Sequence, residues 1–225
     1  MNFNIITIFP EAFESYFNSS ILKRAQKRGL IKINFFNPRN FVKDKYLTVD
    51  DKPYGGGAGM VMKAEPILKA YGNIKKKGVK KVVLLSAKGR QFNQKIARDW
   101  AKNYKQLIFI SARYEGIDER VKIALKAEEI SIGPYVLTDG DVATMVLVSA
   151  VTRLLPGAIK WESLKEESHF NLLVKKEVVG GKGLEYPHYT RPEILKYKGK
   201  KYAVPAVLLS GNHKKIQEWR RKNQN

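Results

Sequence analysis

Three short stretches combine residues in ways a bare scaffold does not need. Lys52-Pro53-Tyr54-Gly55-Gly56-Gly57-Ala58-Gly59-Met60 puts four glycines in five positions. That much glycine is unfavourable in chain entropy, which predicts backbone that approaches a ligand closely or takes positive φ. No Gly-Lys-Ser/Thr follows, and the spacing does not suit a dinucleotide fingerprint opening a helix. A plain surface loop is the competing reading. Ser111-Ala112-Arg113-Tyr114-Glu115-Gly116-Ile117-Asp118-Glu119-Arg120 follows a strand-like run directly. Polar groups at the carboxyl end of a parallel strand sit where open α/β sheets bind ligands, although Asp118-Glu119-Arg120 alone reads as a helix start with its own ion pair. Ser131-Ile132-Gly133-Pro134-Tyr135-Val136-Leu137-Thr138-Asp139-Gly140-Asp141 is a second such loop. There the structural alternative is helix capping by Thr138, Asp139 or Asp141.

Two further features suit an anionic partner. Arg153 interrupts an apolar helical stretch and needs a carboxylate, an anionic ligand or a snorkelling path to solvent. Leu184-Glu185-Tyr186-Pro187-His188-Tyr189-Thr190-Arg191-Pro192 interleaves aromatics with a His and an Arg, as nucleotide stacking and phosphate contact require; a proline-kinked structural strap is the alternative. Leu209-Ser210-Gly211-Asn212-His213 reads as a helix start whose amides could hold a phosphate.

Composition removes many chemistries. The 225 residues contain no cysteine, which excludes disulfides, Cys-ligated zinc, iron–sulfur clusters and thiol nucleophiles. Only His169, His188 and His213 are present, and no pair has helical ligand spacing. No apolar run approaches the ~20 residues of a membrane span, and the N-terminal residues lack an export signal, so a cytoplasmic protein is expected. Against 21 Asp+Glu stand 42 Lys+Arg, a net charge of +21. That is far more than solubility needs, and it points to a polyanion, most simply nucleic acid. A compositional drift toward Lys and Asn is the bland alternative. The excess is densest at the end, with 13 Lys/Arg and 4 Asp/Glu over 171–225.

The elements that must position these residues alternate. Strands are expected over 4–9, 31–36, 81–85, 106–110 and 129–132, and helices over 21–28, from 93 to 102 and from about 118. Continuous Ile/Val/Leu strands separated by helices imply a mostly parallel sheet covered on both faces. The stretch 141–155, ended by Pro156-Gly157, is apolar nearly all round and must be buried on more than one side, against the sheet and possibly a second subunit. From 158 to 183 the pattern dissolves into charged, Gly-containing sequence, an expected linker. A last helix from about Asn212 sets Ile216 and Trp219 on one side and Lys214, Lys215, Arg220, Arg221 and Lys222 around the rest.

Taken together, the blocks 52–62, 113–121, 131–138, Arg153-Leu-Leu-Pro-Gly157, Tyr186-Pro-His-Tyr-Thr-Arg-Pro192 and Val204 to His213 run in order over nearly the whole chain. In this the chain resembles the bacterial tRNA (guanine-N1)-methyltransferases of the SPOUT class. The resemblance implies an α/β domain tied in a trefoil knot over 1–157, the linker 158–183, and a small, basic helical tRNA-binding domain over 184–225. It also implies a homodimer with active sites at the subunit interface, S-adenosylmethionine as methyl donor, and Mg²⁺ as a suggested accompanying ion. The substrate would be the guanosine 3′ of the anticodon (position 37), methylated at N1.

Carried over by motif, the donor would meet Leu85, Ser86, Ala112, Tyr114, Glu115, Gly116, Ser131, Ile132, Gly133, Tyr135, Val136, Leu137 and Gly140. RNA would meet Tyr54, Gly55, Gly57, Gly59, Ser168, His188, Arg191 and His213. Arg153 matches the arginine that serves guanine O6. The family's base is an Asp in Asp-Ser-Phe; the chain reads Glu166-Glu167-Ser168-His169-Phe170. Aligning on the Ser gives Glu167 that role, which is the reading favoured, whereas aligning on the Phe gives Ser168. Ala58 and Ala112 stand where Pro and Gly are usual, Pro134 replaces an Asp, and Asp139 replaces a Gly, so a side chain is expected to enter the donor loop there. A SPOUT relative with altered RNA specificity and a non-catalytic RNA-binding descendant are the alternative readings.

Overall fold

The computed structural model describes residues 1–75, 78–160 and 186–223. The chain divides into two compact units, Met1–Ile159 and Lys160–Asn225. Most of the expected linker, with Glu167 and Ser168, lies outside the described residues.

In the first unit, β1 (Asn2–Ile6) is followed by a 3-10 turn at Pro10–Phe13, α1 (Glu14–Phe17) and α2 (Ser20–Lys27). Then come β2 (Lys32–Phe36), the short strands β3 (Asp50–Asp51) and β4 (Val61–Met62), and α3 (Ala64–Gly72). The remainder is β5 (Lys80–Gln91), α4 (Gln94–Asn103), β6 (Gln106–Ile110), α5 (Glu119–Leu125), β7 (Glu128–Ser131) and α6 (Gly140–Thr152). The central sheet has the order β2-β1-β6-β5-β7 and every pairing in it is parallel.

Alternation along these strands splits the core into two layers. Phe3, Ile5, Val83, Leu85, Leu107, Phe109 and Ile130 face α2, α4 and α6, where Trp100, Leu147 and Val151 complete the packing. Ile6, Val82, Leu84, Ile108 and Ile110 face α3 and α5, against Ile67, Ala70 and Val121. Deleting one such side chain typically costs 2–5 kcal/mol.

Several elements depart from the sequence expectation for local reasons. Ser19 occupies the N-cap of α2 without capping it, because its hydroxyl donates to Tyr16 O at 2.7 Å. α3 was not expected; Pro66 lies in its first turn, where no intrahelical N–H is needed. β5 runs on to Gln91 because it leaves its register with β7 between Leu85 and Arg90 and then resumes pairing. At the resumption a Cβ on Gly89 would lie 2.6 Å from the Glu129 and Ile130 backbone, so only glycine fits. α6 ends at Thr152, three residues earlier than the apolar run suggested, and it leaves Val142 and Val146 exposed.

The second unit contains β8 (Ile194–Tyr197) and β9 (Lys200–Ala203), an antiparallel pair, then α7 (Ala206–Leu209) and α8 (His213–Lys222). The helical expectation thus missed a hairpin. Its turn, Lys198-Gly199, has positive φ at both positions, +46° and +76°, which suits the twist of a two-residue connection.

Candidate active site

A cavity of about 390 Å³ opens at the carboxyl ends of β5, β6 and β7. Three segments wall it: the register break of β5 (Ser86, Ala87, Lys88), the loop after β6 (Ala112 to Ile117), and the loop after β7 (Ile132 and Tyr135 to Gly140). Every residue assigned to the donor from sequence lines it except Gly133. That glycine serves the wall from behind, since a Cβ there would lie 2.2 Å from the Tyr135 ring.

The two long loops are locked together by backbone contacts. Gly140 N donates to Ala112 O at 2.8 Å. A Cβ on Gly140 would reach 2.8 Å from Ala112 N and 3.0 Å from Ser111 Oγ, so the start of α6 is pressed against the loop after β6. In that loop Tyr114 takes φ +57° and Gly116 +133°. A left-handed Tyr is uncommon and has to be held by its surroundings.

What holds it is a buried polar network. Asp141, 2% exposed, accepts from Thr7 Oγ1 at 2.8 Å and Ser111 Oγ at 2.5 Å through one carboxylate oxygen. Its other oxygen accepts from Arg113 at 2.6 Å. The Arg113 guanidinium lies 4.3 Å from the Phe9 ring centroid and 3.4 Å from Asp139. The ends of β1 and β6, the donor loop and α6 therefore meet at one carboxylate. Sequence reading missed Arg113, Asp141 and Thr7 as a set; the available signal was a polar residue at the carboxyl end of each of two apolar strands.

Asp139 has a second role beside its place on the cavity wall. It borders the cavity, but its Oδ1 accepts from Asp141 N at 2.8 Å and Val142 N at 3.4 Å. It is the N-cap of α6, a role among the capping options read from sequence, and its other carboxylate oxygen lies 3.4 Å from the Arg113 guanidinium.

The glycine loop closes on the same site. Gly55, Gly56, Gly57 and Gly59 all have positive φ. Glu115 N donates to Met60 O at 3.0 Å, and Met62 N donates to Gly116 O at 2.9 Å. A Cβ on Gly59 would fall 2.5 Å from Glu115 Oε1, so the bare backbone is needed where the loop crosses that carboxylate. Tyr54 is fully exposed at its outer edge.

The cavity rim adds a charged group that sequence reading did not single out. Glu129 pairs with Lys122 at 2.7 Å and Lys88 at 3.6 Å. Burial pushes its carboxyl up, but hydrogen bonds from Lys122 and Ser86 and the charges of Lys88 and Lys122 outweigh this and hold it below the usual range.

Arg153 is not brought to this cavity within one chain. It follows α6 and lines a separate cavity of about 220 Å³ with Tyr16, Ser19, Ser20 and Ser149. Thirteen residues of helix rise separate it from Gly140, about 20 Å. In the second unit, Tyr186 packs on His188 at 4.7 Å and lies 4.7 Å from the Arg220 guanidinium. His213 opens α8 behind the Asn212 cap, and Arg191 precedes the hairpin.

The cavity also carries hydrogen-bond donors of its own. The amides of Tyr135, Val136 and Leu137 have no backbone acceptor among the described residues, leaving backbone donors beside apolar side chains. Such a mixture is what a small-molecule site requires. Among the described residues no cluster of three or more His, Asp or Glu is arranged to hold a metal ion, and no helix is long and apolar enough to cross a membrane.

Comparison with known proteins supplies the chemistry. Residues 1–225 match the family described as tRNA (Guanine-1)-methyltransferase TrmD. The chain is 52% identical to a tRNA (guanine-N(1)-)-methyltransferase of Carboxydothermus hydrogenoformans, over 99% of this chain and 82% of that one. It is 51% identical to the protein of the same name from Dictyoglomus turgidum, covering 99% and 84%. Against that of Thermomicrobium roseum identity is 49%, over 98% and 78%.

Proposed function

The chain belongs to the tRNA (guanine-1)-methyltransferase family, and from that premise we propose how its residues perform the reaction. It is a methyltransferase acting on N1 of guanine in tRNA. Within that reading, the target is the guanosine 3′ of the anticodon, position 37, and the donor is S-adenosylmethionine, whose sulfonium supplies an electrophilic methyl group. The observation that carries the donor assignment is the convergence of the motif residues, from Ser86 to Gly140, on one cavity at the strand ends.

Guanine N1 carries a proton, so it becomes nucleophilic only when a base removes it. Glu167, with Ser168 beside it, is the proposed base; both lie outside the described residues. Removal of the proton builds negative charge on O6, and Arg153 is the residue proposed to meet that charge. The roughly 15 Å of helix rise between Ala143 on the cavity wall and Arg153 favours a site completed by a second copy. The exposed Val142 and Val146 on α6 are the surface offered for that copy. The trefoil knot belongs to the same proposal, supported by the close seat of Gly140 against Ala112. So does binding of tRNA by the second unit, through His188, Arg191 and His213, and a cytoplasmic location.

Methyl transfer from labelled S-adenosylmethionine to unmodified tRNA tests the reading. Label at N1 of the guanosine after the anticodon, absent from an adenosine-substituted control, is expected. Label at another nucleotide would replace position 37, and binding of tRNA without any label would replace catalysis.

A further inference from the structure

We propose that the β8–β9 hairpin is a separate RNA-reading element that takes unpaired nucleotides, stacking bases on one face and holding phosphates on the other. The proposal rests on tRNA being the substrate and adds a contact surface to it.

An isolated two-stranded hairpin is marginal in water and normally buries one face. This one buries neither: all eight strand residues are exposed. Pairing sets Leu195 opposite Tyr202 and Tyr197 opposite Lys200, so these four share a face. Leu195, Tyr197 and Tyr202 are 53%, 59% and 53% exposed, an unusual amount of ring and aliphatic surface for so short an element. On the other face Lys196 lies directly opposite Lys201. Like charges at a cross-strand pair are destabilising, and among the described residues neither lysine has an acidic partner. Lys198 extends the charge into the turn. From Ile194 to Ala203 there are four lysines and no acidic residue.

A polyanion relieves the repulsion between the lysines, which selects nucleic acid over an apolar protein partner or a second copy of this basic chain. The aromatic face narrows the choice. In paired A-form RNA the bases are stacked away and the major groove is too deep and narrow for side chains, whereas a loop presents base faces to Tyr rings.

Two variants of the full chain test this, each checked by thermal melting and donor binding. K196Q/K198Q/K200Q/K201Q is expected to lower tRNA affinity about tenfold at 0.1 M salt. It should also flatten the plot of log affinity against log salt by about two to four units. Y197S/Y202S is expected to lower affinity for a stem-loop RNA at least fivefold while leaving the salt slope and the affinity for a fully paired duplex unchanged. Parent-like tRNA binding by both variants would overturn the proposal, as would a change confined to self-association in sedimentation. If the parent binds tRNA in this hairpin-dependent way but transfers no methyl, the proposal stands and the catalytic reading falls. If the parent methylates and the variants match it, only the hairpin is at fault.

Discussion

The Arg113 guanidinium donates to the Asp141 carboxylate at 2.6 Å, joining the loop after β6 to the first turn of α6 across 28 residues of chain. The remaining Asp141 oxygen is saturated by two hydroxyls, from Thr7 and Ser111. A carboxylate this buried is tolerable only because every side of it has a donor. It therefore ties the shape of the donor loop to the packing of the core.

Replacing Asp141 by Ala removes that common acceptor and leaves Arg113 with Asp139 alone. We expect a loss of about 3 kcal/mol in denaturant unfolding and a fall of tenfold or more in donor affinity by calorimetry. Unchanged donor affinity in a folded variant would separate the network from the donor site.

Asp139 behaves differently because its carboxylate caps α6. Asp139→Ala should cost about 1 kcal/mol of stability and Asp139→Gly only a few tenths, both with near-parental donor affinity. A tenfold gain in affinity for the glycine variant would mean that the side chain does obstruct the cavity.

Gly59 and Gly55 offer an internal control for the glycine loop. Both have positive φ, so Ala strains each backbone by a similar amount, about 1 kcal/mol. Only at Gly59 does the added carbon meet Glu115; at Gly55 the space is open. Gly59→Ala should therefore reduce methyl transfer at least tenfold more than Gly55→Ala, measured side by side at saturating donor.

Arg153 and Glu167 are expected to separate turnover from donor binding. Arg153→Ala and Glu167→Gln should each lower kcat by about 10² or more while leaving donor affinity within twofold. Ser168→Ala should keep most of the rate. A larger loss at Ser168 than at Glu167 would reassign the base.

Glu129 gives a stability signature in acid. Its folded carboxyl titrates below the ordinary value, because Lys122, Lys88 and Ser86 favour the charged form over the opposing effect of burial. Its contribution is thus present above the unfolded pKa and is lost as pH falls through the depressed folded value. Glu129→Gln should flatten the decline of melting temperature below about pH 4.5 and leave the alkaline side alone.

The parallel sheet was readable because its central strands carry uninterrupted apolar runs, Val82 to Leu85 in β5 and Leu107 to Ile110 in β6. Strand β6 spans 106–110, as expected. The α4 start was equally legible, since Asn93 caps it by accepting from Ile96 N at 3.1 Å. The hairpin escaped because its strands are only four residues long and both faces meet solvent, so the brief Leu195-Lys196-Tyr197 alternation marks no buried face. The donor residues were legible as motifs, but their convergence was not: the register break of β5 that carries Ser86 to Lys88 into the cavity depends on the close approach of Gly89 to β7. The Asp141 network was hidden for a similar reason, as its four members come from three segments far apart in the chain, the end of β1, the loop after β6 and the start of α6.

The unpaired amides of Tyr135, Val136 and Leu137 have a consequence for inhibition. A compound that fills the cavity and bonds to those main-chain groups is read by N–H donors that only a substitution to proline can delete. Resistance would have to move the loop itself, and its freedom is small: Gly133 sits against the Tyr135 ring at one end and Gly140 against Ala112 at the other. The cavity thus offers an inhibitor a target whose escape routes are crowded by its own backbone.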